Sequence, residues 1–533
     1  MVVVGARCAG SPLATMLAQR GLRVCLIDKS RFPSETLSTH LVQPCGVDVL
    51  GRIGALEAVL GAGAAVMTRF TFVGDGARME ARLDEGLFDH PSISVRRVVL
   101  DRLLVERAAA AGVEVRTGTR VTDLLWEGGG VAGVVAGGER LAARLVVGAD
   151  GRGSSVAELV GACKYALAPP GRVFAWAYFE GVEPDGHLRL ASLDDMTYVA
   201  GPTDSGLYLA AACPPIGTRE SFLADRKGGY AAALRAWPEL SGLLTGAKRS
   251  GPIRVMASWH GYLREPAGPG WVLLGDAGNF KDPSPAQGMA DALRQGEKLA
   301  QAIARGLDDD LDSELRHWGR WRDEDGREMH WFAADMGAAG RARPLADQLL
   351  RDISASEEDT RKFLRILNHE VVPSRLFTPR RIAGAAARVV RRRPGQIPAM
   401  LREGVRELGK EVRRVAQRRP APSATERLLF ALTLIGFVVP NLCVVLFLGD
   451  EGIEVGGYFS LWFASVPSTQ LVLDLGIAAL AFFVWAAAEA RRTPVDRWWL
   501  CIPATFLVGL CFGLPLFLWM RERALWKHAP GRV

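Results

Sequence analysis

The chain has 533 residues, 49% hydrophobic and 23% charged, with a formal net charge of +7. At roughly 100–200 residues per domain this length suggests about two to four units, and the balance suits a large core plus some membrane segment. Eight cysteines (Cys8, Cys25, Cys45, Cys163, Cys213, Cys443, Cys501 and Cys511) form no CxxC pair and no metal-ligand spacing, which speaks against a metal site and for small buried hydrophobes in a reducing compartment.

Residues 1–40 read strand, glycine turn, helix, strand: Val2–Val4, Gly5 to Gly10, Leu13–Arg20, then Arg23–Ile27 ending at Asp28. No signal peptide is expected ahead of this first strand, and a start a few residues upstream stays open. Arg97 opens a helix to Ala111. Val113–Arg116 and Val131–Val135 flank the turn Gly128-Gly129-Gly130, and Leu145–Val147 runs into Gly148-Ala149-Asp150-Gly151. Between about 165 and 260 the pattern alternates with period two, as in Phe174–Phe179 and Leu207–Ala211, which predicts an antiparallel sheet with its own role. Trp271–Leu274 is a buried strand ending in Gly275-Asp276, followed by a helix from about Ala286 to Gly306.

Residues 307–425 read as mostly helical and polar, broken by prolines, with Pro420-Ala421-Pro422 as a linker. Much of the basic excess lies between Arg375 and Arg427, in runs such as Arg391-Arg392-Arg393 and Arg418-Arg419. Its place just before an apolar segment favours anionic lipid over nucleic acid. Three apolar stretches follow: Leu428–Leu448, Leu471–Ala488 and Trp498–Met520, the last flanked by Trp498, Trp499 and Trp519 as interfacial anchors. Gly456–Pro467 is too short to cross and reads as interfacial. The charges predict three spans, with the N-terminal part cytoplasmic and the C-terminus outside. Arg413, Arg414, Arg418 and Arg419 precede the first span, Arg491, Arg492 and Arg497 follow the second, and the intervening loop carries Asp450, Glu451 and Glu454.

Four motifs carry chemistry. Gly5-Ala6-Arg7-Cys8-Ala9-Gly10 follows a strand and opens a helix, as in a dinucleotide fingerprint, where glycines allow a tight turn, close approach to a pyrophosphate and helix packing. Arg7 stands at the middle glycine and brings a guanidinium that reaches toward a phosphate. Asp28, about 20 residues on, suits the ribose hydroxyls. Arg97 suits a pyrophosphate. Asp150-Gly151 ends a strand where backbone approaches a cofactor. Gly275-Asp276, followed by Asp282-Pro283-Ser284-Pro285-Ala286-Gln287-Gly288-Met289, places an acid for a polyol chain and aims a helix N-terminus at an anion such as reduced flavin.

Together these motifs, in this order, resemble the FAD-dependent monooxygenase and geranylgeranyl-reductase superfamily of para-hydroxybenzoate-hydroxylase-like fold, over roughly residues 1–330. The resemblance implies that Gly5, Gly10, Asp28 and Arg97 hold the ADP part of FAD. It implies that Asp150 and Gly151 lie near the pyrophosphate and the reductant's path, that Asp276 binds the ribityl chain, and that Pro283–Met289 flanks the isoalloxazine. Thr36-Leu37-Ser38-Thr39-His40 is similar to the family segment that passes the flavin. Arg7 and Ala286 replace glycines of the family pattern. The C-terminal part resembles a small bacterial domain of unknown function with three membrane helices, through Gln470–Asp474, Ala504–Gly509, Gly513–Leu518 and Arg521-Glu522.

The expected fold is therefore α/β: a Rossmann-like FAD-binding domain (1–165 and 261–330) with an inserted antiparallel-sheet substrate domain (166–260), a helical basic region and linker (331–424), and a transmembrane helical domain (425–533). The expected activity is that of an FAD-dependent oxidoreductase, an NAD(P)H-dependent monooxygenase acting on a lipophilic small molecule at the bilayer, with NADPH or NADH as reductant. A reductase of isoprenoid double bonds is the alternative, weakened because Tyr198-Val199-Ala200-Gly201-Pro202 keeps only the tyrosine and proline of Tyr-x-Trp-x-Phe-Pro. No Trp-x-Trp-x-Ile-Pro supports a halogenase. A membrane-bound flavin electron carrier or sensor is the alternative of another class. His40 and His260 are acid–base candidates on position alone.

Overall fold

Val2-Val3-Val4 is a run of β-branched residues buried on both sides, the pattern of a strand covered on two faces. It sits inside a six-stranded sheet. The order is Ala267–Gly268, Trp271–Leu273, Val146–Gly148, Val2–Val4, Cys25–Asp28, Glu114–Thr117, parallel except at the short first pair. Side chains alternate across it. Val3, Leu26, Val147 and Val272 pack with Leu13, Leu17, Leu100, Leu104, Leu293 and Leu299, which come from the helices Gly10–Ala18, Arg97–Ala110 and Gly288–Gly306. Val2, Val4, Ile27 and Val146 face the other way, onto Val121, Leu124, Val131 and Val134 of a three-stranded antiparallel sheet. The computed structural model describes residues 1–416 apart from Thr39, Asp75, Asp308 and 341–342, and then 424–451, Ser460, 462–492, Val495 and 497–528.

The second large sheet has seven strands, ordered Lys248–Met256, Phe174–Glu180, Tyr208–Cys213, Met196–Pro202, His187–Leu193, Arg69–Gly74, Ala77–Arg82. Its pairings are antiparallel except His187–Ser192 beside Arg69–Gly74, which are parallel. The sequence boundary at residue 166 therefore misses two of its strands, which arrive from the N-terminal segment. One face carries Ala175, Ala177, Ala200, Ala210 and Ala212 beneath Tyr230, Leu234 and Trp237. These small residues let the helix Arg226–Arg235 lie close to the sheet. The opposite face carries the larger Phe174, Trp176, Tyr178 and Leu209.

Residues 344–416 form four main helices, Pro344–Ser354, Glu357–Leu367, Pro379–Arg392 and Ile397–Ala416. Ile353, Phe363, Leu364 and Leu367 share a core with Phe70, Met79 and Leu188 of the seven-stranded sheet. This region, expected as a basic stretch and linker, is built into one compact unit with the sheets, Met1–Arg418.

The second unit, Arg419–Val533, is helical. Among its described residues the helices are Ala424–Glu451, with Pro440 inside, Val466–Arg492, Cys501–Leu507 and Leu510–His528. Among the described residues, only Val466–Ala490 is both long and apolar enough to cross a membrane. Leu428–Pro440 and Trp498–Leu507 are shorter apolar pieces. The third expected span, Trp498–Met520, is not one helix. It breaks at Gly509, whose φ of +130° no L residue adopts easily. Leu510–His528 then folds back so closely that a Cβ on Gly513 would overlap the Thr505 hydroxyl. Phe482, Ala486, Cys501 and Phe517 form this unit's buried cluster. Of the expected interfacial segment, 456–459 and 461 lie outside the described residues, as does Glu454, and its end, Val466-Pro467, opens the helix Val466–Arg492.

Candidate functional site

The first turn is fixed by backbone geometry. Gly5 has φ +103°, and a Cβ there would overlap the Ala149 carbonyl; a Cβ on Gly10 would overlap the Gly5 carbonyl. Gly5 thus lets two parallel strand ends meet, and Gly10 lets the helix start against the turn. Asp28 closes this arrangement. Its carboxylate accepts the Ala6 N–H at 2.8 Å and the Ser30 N–H at 2.7 Å, tying the glycine turn to the end of the second strand.

These elements form the polar end of a cavity of about 620 Å³, within the usual range of small-molecule and cofactor sites, about 300–1,000 Å³. Gly5, Arg7, Asp28, Arg97, Asp150, Gly151, Asp276, Pro283, Gly288 and Met289 all line it. Both arginines depend on one acid. Arg7 Nη1 and Arg97 Nε each donate to a different oxygen of the fully buried Asp101, at 2.9 Å. Burial opposes the charge of Arg97, but the adjoining Asp101 carboxylate holds its guanidinium protonated, above the ordinary range. Arg7 Nη2 also reaches Ser34, and its guanidinium stacks on Phe32. The arginine that replaces a glycine is thus braced at the cavity wall.

Asp150 lines the cavity, but its carboxylate is engaged by its own chain: it accepts Ser154 Oγ at 2.5 Å and the N–H groups of Ser155 and Val156. Burial nevertheless raises its carboxyl. Asp276 is pushed up to about 6 by burial, with Arg152 and Arg97 acting against the shift. Beyond it, Asp282 is 2% exposed and pushed up to about 7 by burial. One of its oxygens accepts Ser284 twice, while Oδ2 has no partner among the described residues. Ala286, at the place of a family glycine, has φ +53°, the left-handed conformation that glycine adopts freely.

Three expected residues do not line the cavity. Gly10 and Gly275 are packing glycines; Gly275 has φ +60° and abuts Ala9. Gln287 is fully buried and turns away. Its amide donates to the carbonyls of Ile366 and Leu367, and its oxygen accepts Lys281 Nζ at 2.7 Å, so it clamps the cavity loop to the helix Glu357–Leu367. Neither histidine candidate lines the cavity. His40 is buried against the Tyr178 hydroxyl and held near 4, hence neutral, by desolvation; His260 is exposed. Thr39 lies outside the described residues.

Sequence reading missed Asp101, whose signal was its place four residues after Arg97 on one helix face. It also missed Arg152, which lines the cavity and stacks on Phe280. Lys281, Asp291 and His369 form a buried chain, with Asp291 accepting Lys281 at 2.7 Å and His369 at 2.6 Å. No local pattern announces it, because His369 comes from a distant turn.

The far end of the cavity is apolar. Phe174, Trp176, Val199, Leu209, Ala211 and Met256 come from the seven-stranded sheet and line it together with Phe280. Val199, not Tyr198, points here: the Tyr198 hydroxyl donates to the Ala233 carbonyl inside the core.

Comparison with known proteins agrees with this geometry. Residues 1–176 match the FAD binding domain family, and residues 428–523 match a protein family of unknown function, DUF2834. The chain is 33% identical over 162 residues to rifampicin monooxygenase of Streptomyces venezuelae, a match covering 30% of this chain and 33% of that protein. It is 28% identical over 336 residues to 6-methylpretetramide 4-monooxygenase of Streptomyces rimosus, covering 57% of this chain and 75% of that one. The flavin-dependent brominase Bmp2 shares the fold, with a TM-score of 0.59 at 20% identity over 74% of this chain and 99% of its own. Residues 1–176 thus carry an FAD binding domain.

Proposed function

We propose that this chain is an NAD(P)H-dependent monooxygenase for a lipophilic substrate, resident at a membrane. The observation that carries the reading is the two-part cavity, with a charged, glycine-lined end opening directly onto an apolar aromatic one. Bound FAD would supply hydride acceptance from NAD(P)H and electron delivery to dioxygen. The chain's own residues divide the remaining work. Gly5 would leave room for a pyrophosphate, and Asp28, which already organises the turn, would accept from the ribose hydroxyls. Arg97, braced by Asp101, would pair with the phosphates. Asp276 would hold the ribityl chain. The N-terminus of the helix Gly288–Gly306 would offer its free N–H groups to negative charge on the ring. The apolar wall excludes water and orients the substrate. The apolar helix Val466–Ala490 keeps the enzyme where such a substrate dissolves, which raises its effective concentration.

The test is to purify the full chain in detergent, record its flavin spectrum, and follow NADPH and NADH oxidation in air with a lipid extract. Stimulated oxidation, with a product heavier by one oxygen atom, supports the proposal. A product heavier by two hydrogen atoms makes the chain a double-bond reductase, and bound flavin without turnover on any extract makes it a carrier or sensor.

A further inference from the structure

The helix Ile397–Ala416 has two dissimilar faces. One is built into the flavin unit. Met400 is buried, and Glu403 accepts the N–H groups of Leu345 and Ala346 at the start of the helix Pro344–Ser354. Lys410 and Arg414 both pair with Asp335, and Arg414 lies over the Trp331 ring. At about 100° per residue, Met400, Glu403, Lys410 and Arg414 fall on one side of the helix. Leu401, Val405, Leu408 and Val412 fall on the opposite side, within a sector of about 60°. They are 61%, 74%, 67% and 63% exposed. Four large apolar side chains in a continuous exposed row mark a surface that meets something.

The flank identifies the occupant. Arg402, Arg406 and Arg413 border the row along one side, at about 100–140° from Leu401. Among the described residues, the bonds of Arg402 and Arg413 run to carbonyls of their own helix. Between residues 379 and 419 there are thirteen Arg and Lys against three Glu, an excess larger than that of the whole chain. An apolar row with a basic border suits an anionic bilayer surface, where the row enters the acyl boundary and the guanidiniums meet phosphate.

We propose that this face is an in-plane membrane-docking surface belonging to the flavin unit itself, distinct from any spanning helix, with anionic phospholipid as its partner. The proposal rests on the membrane residence argued above and adds where the soluble unit touches the bilayer. A flavin unit held through its own surface presents a fixed side to the lipid, whereas a tether alone would leave it free to turn.

The experiment places a photo-crosslinking benzoylphenylalanine at Val405, at Leu408 and, as a control, at Arg102 in the full chain. The chain is incorporated into nanodiscs of phosphatidylcholine with or without roughly a third of phosphatidylglycerol, illuminated, and analysed by mass spectrometry. Lipid adducts at 405 and 408 but not at 102, increased several-fold by phosphatidylglycerol and lost in the triple variant Arg402→Glu, Arg406→Glu, Arg413→Glu, are expected. Adducts to peptides of residues 424–528 or to a second copy of the chain overturn the proposal, because the row is then covered by protein. A chain that enters nanodiscs yet gives no adduct at 405 or 408 overturns it while leaving membrane residence intact. A chain that does not enter them overturns both.

Discussion

Asp101 is the residue on which the polar end of the cavity depends, and Asp101→Asn tests this directly. The amide keeps the size of the side chain and removes its charge. Asp101 is fully buried and Arg97 is 11% exposed, so that pair lies in the regime where breaking a buried ion pair costs about 3–5 kcal/mol. Arg7 is 24% exposed and keeps part of its hydration, which moves the expected cost toward the lower bound, about 3 kcal/mol. The assay is urea unfolding of the flavin-free full chain, followed by tryptophan fluorescence, alongside flavin content of the protein as purified. If the cost comes from an uncompensated guanidinium, Arg97→Gln together with Asp101→Asn should be less destabilising than the sum of the two, by about 1 kcal/mol or more. Flavin content should fall in Asp101→Asn, since both arginines lose their anchor. An unchanged midpoint with full flavin content would refute the reasoning.

Asp28→Ala and Asp276→Ala should each lower flavin content, and Asp28→Ala should also loosen the first turn by freeing the N–H groups of Ala6 and Ser30; full flavin in both variants means that the site is wrongly assigned. Asp282 is pushed up to about 7 by burial, so its folded form holds a proton that the unfolded chain releases near pH 4. Stability should therefore fall as pH rises from about 4 to 7 and be level above that. Asp282→Asn should be the more stable protein at pH 8, and an unchanged pH profile in the variant contradicts this. Gln287→Ala should cost about 2–4 kcal/mol by leaving two buried carbonyls without a donor and removing one bond of Lys281, which keeps Asp291, and a thermal shift too small to measure speaks against the clamp. A reporter fused at the C-terminus should be active only outside the cell if the apolar helices cross three times; activity in the cytoplasm implies an even number of crossings.

The sequence made the cofactor half readable because its signals are local. Val2–Val4, Gly5, Gly10 and Asp28 fall within thirty residues, and each spacing has a direct geometric meaning. The same holds for Gly275-Asp276 and the helix that starts at Gly288. The rest depends on pairings that no local pattern encodes. Arg69–Gly74 lies beside His187–Ser192 by a parallel register across more than a hundred residues, so the sheet boundary at 166 came out too late. Gln287 sits in a motif whose neighbours line the cavity, and only the carbonyls of Ile366 and Leu367 reveal that it faces the other way. The stretch Trp498–Met520 has the composition of a single span, but one glycine with positive φ divides it.

The clamp around Gln287 bears on how such a chain can be rearranged. The FAD binding domain family covers residues 1–176, which invites the view of a portable cassette followed by dispensable extensions. Yet the loop that forms one wall of the cavity is fastened, through Gln287, Lys281 and Asp291, to Ile366, Leu367 and His369. Cutting the gene near codon 330, or exchanging the helical region for another, would leave a buried glutamine and a buried aspartate short of their partners. A breakpoint that leaves this wall of the cavity intact therefore lies beyond residue 369, and the helical region up to that point folds as part of the flavin pocket.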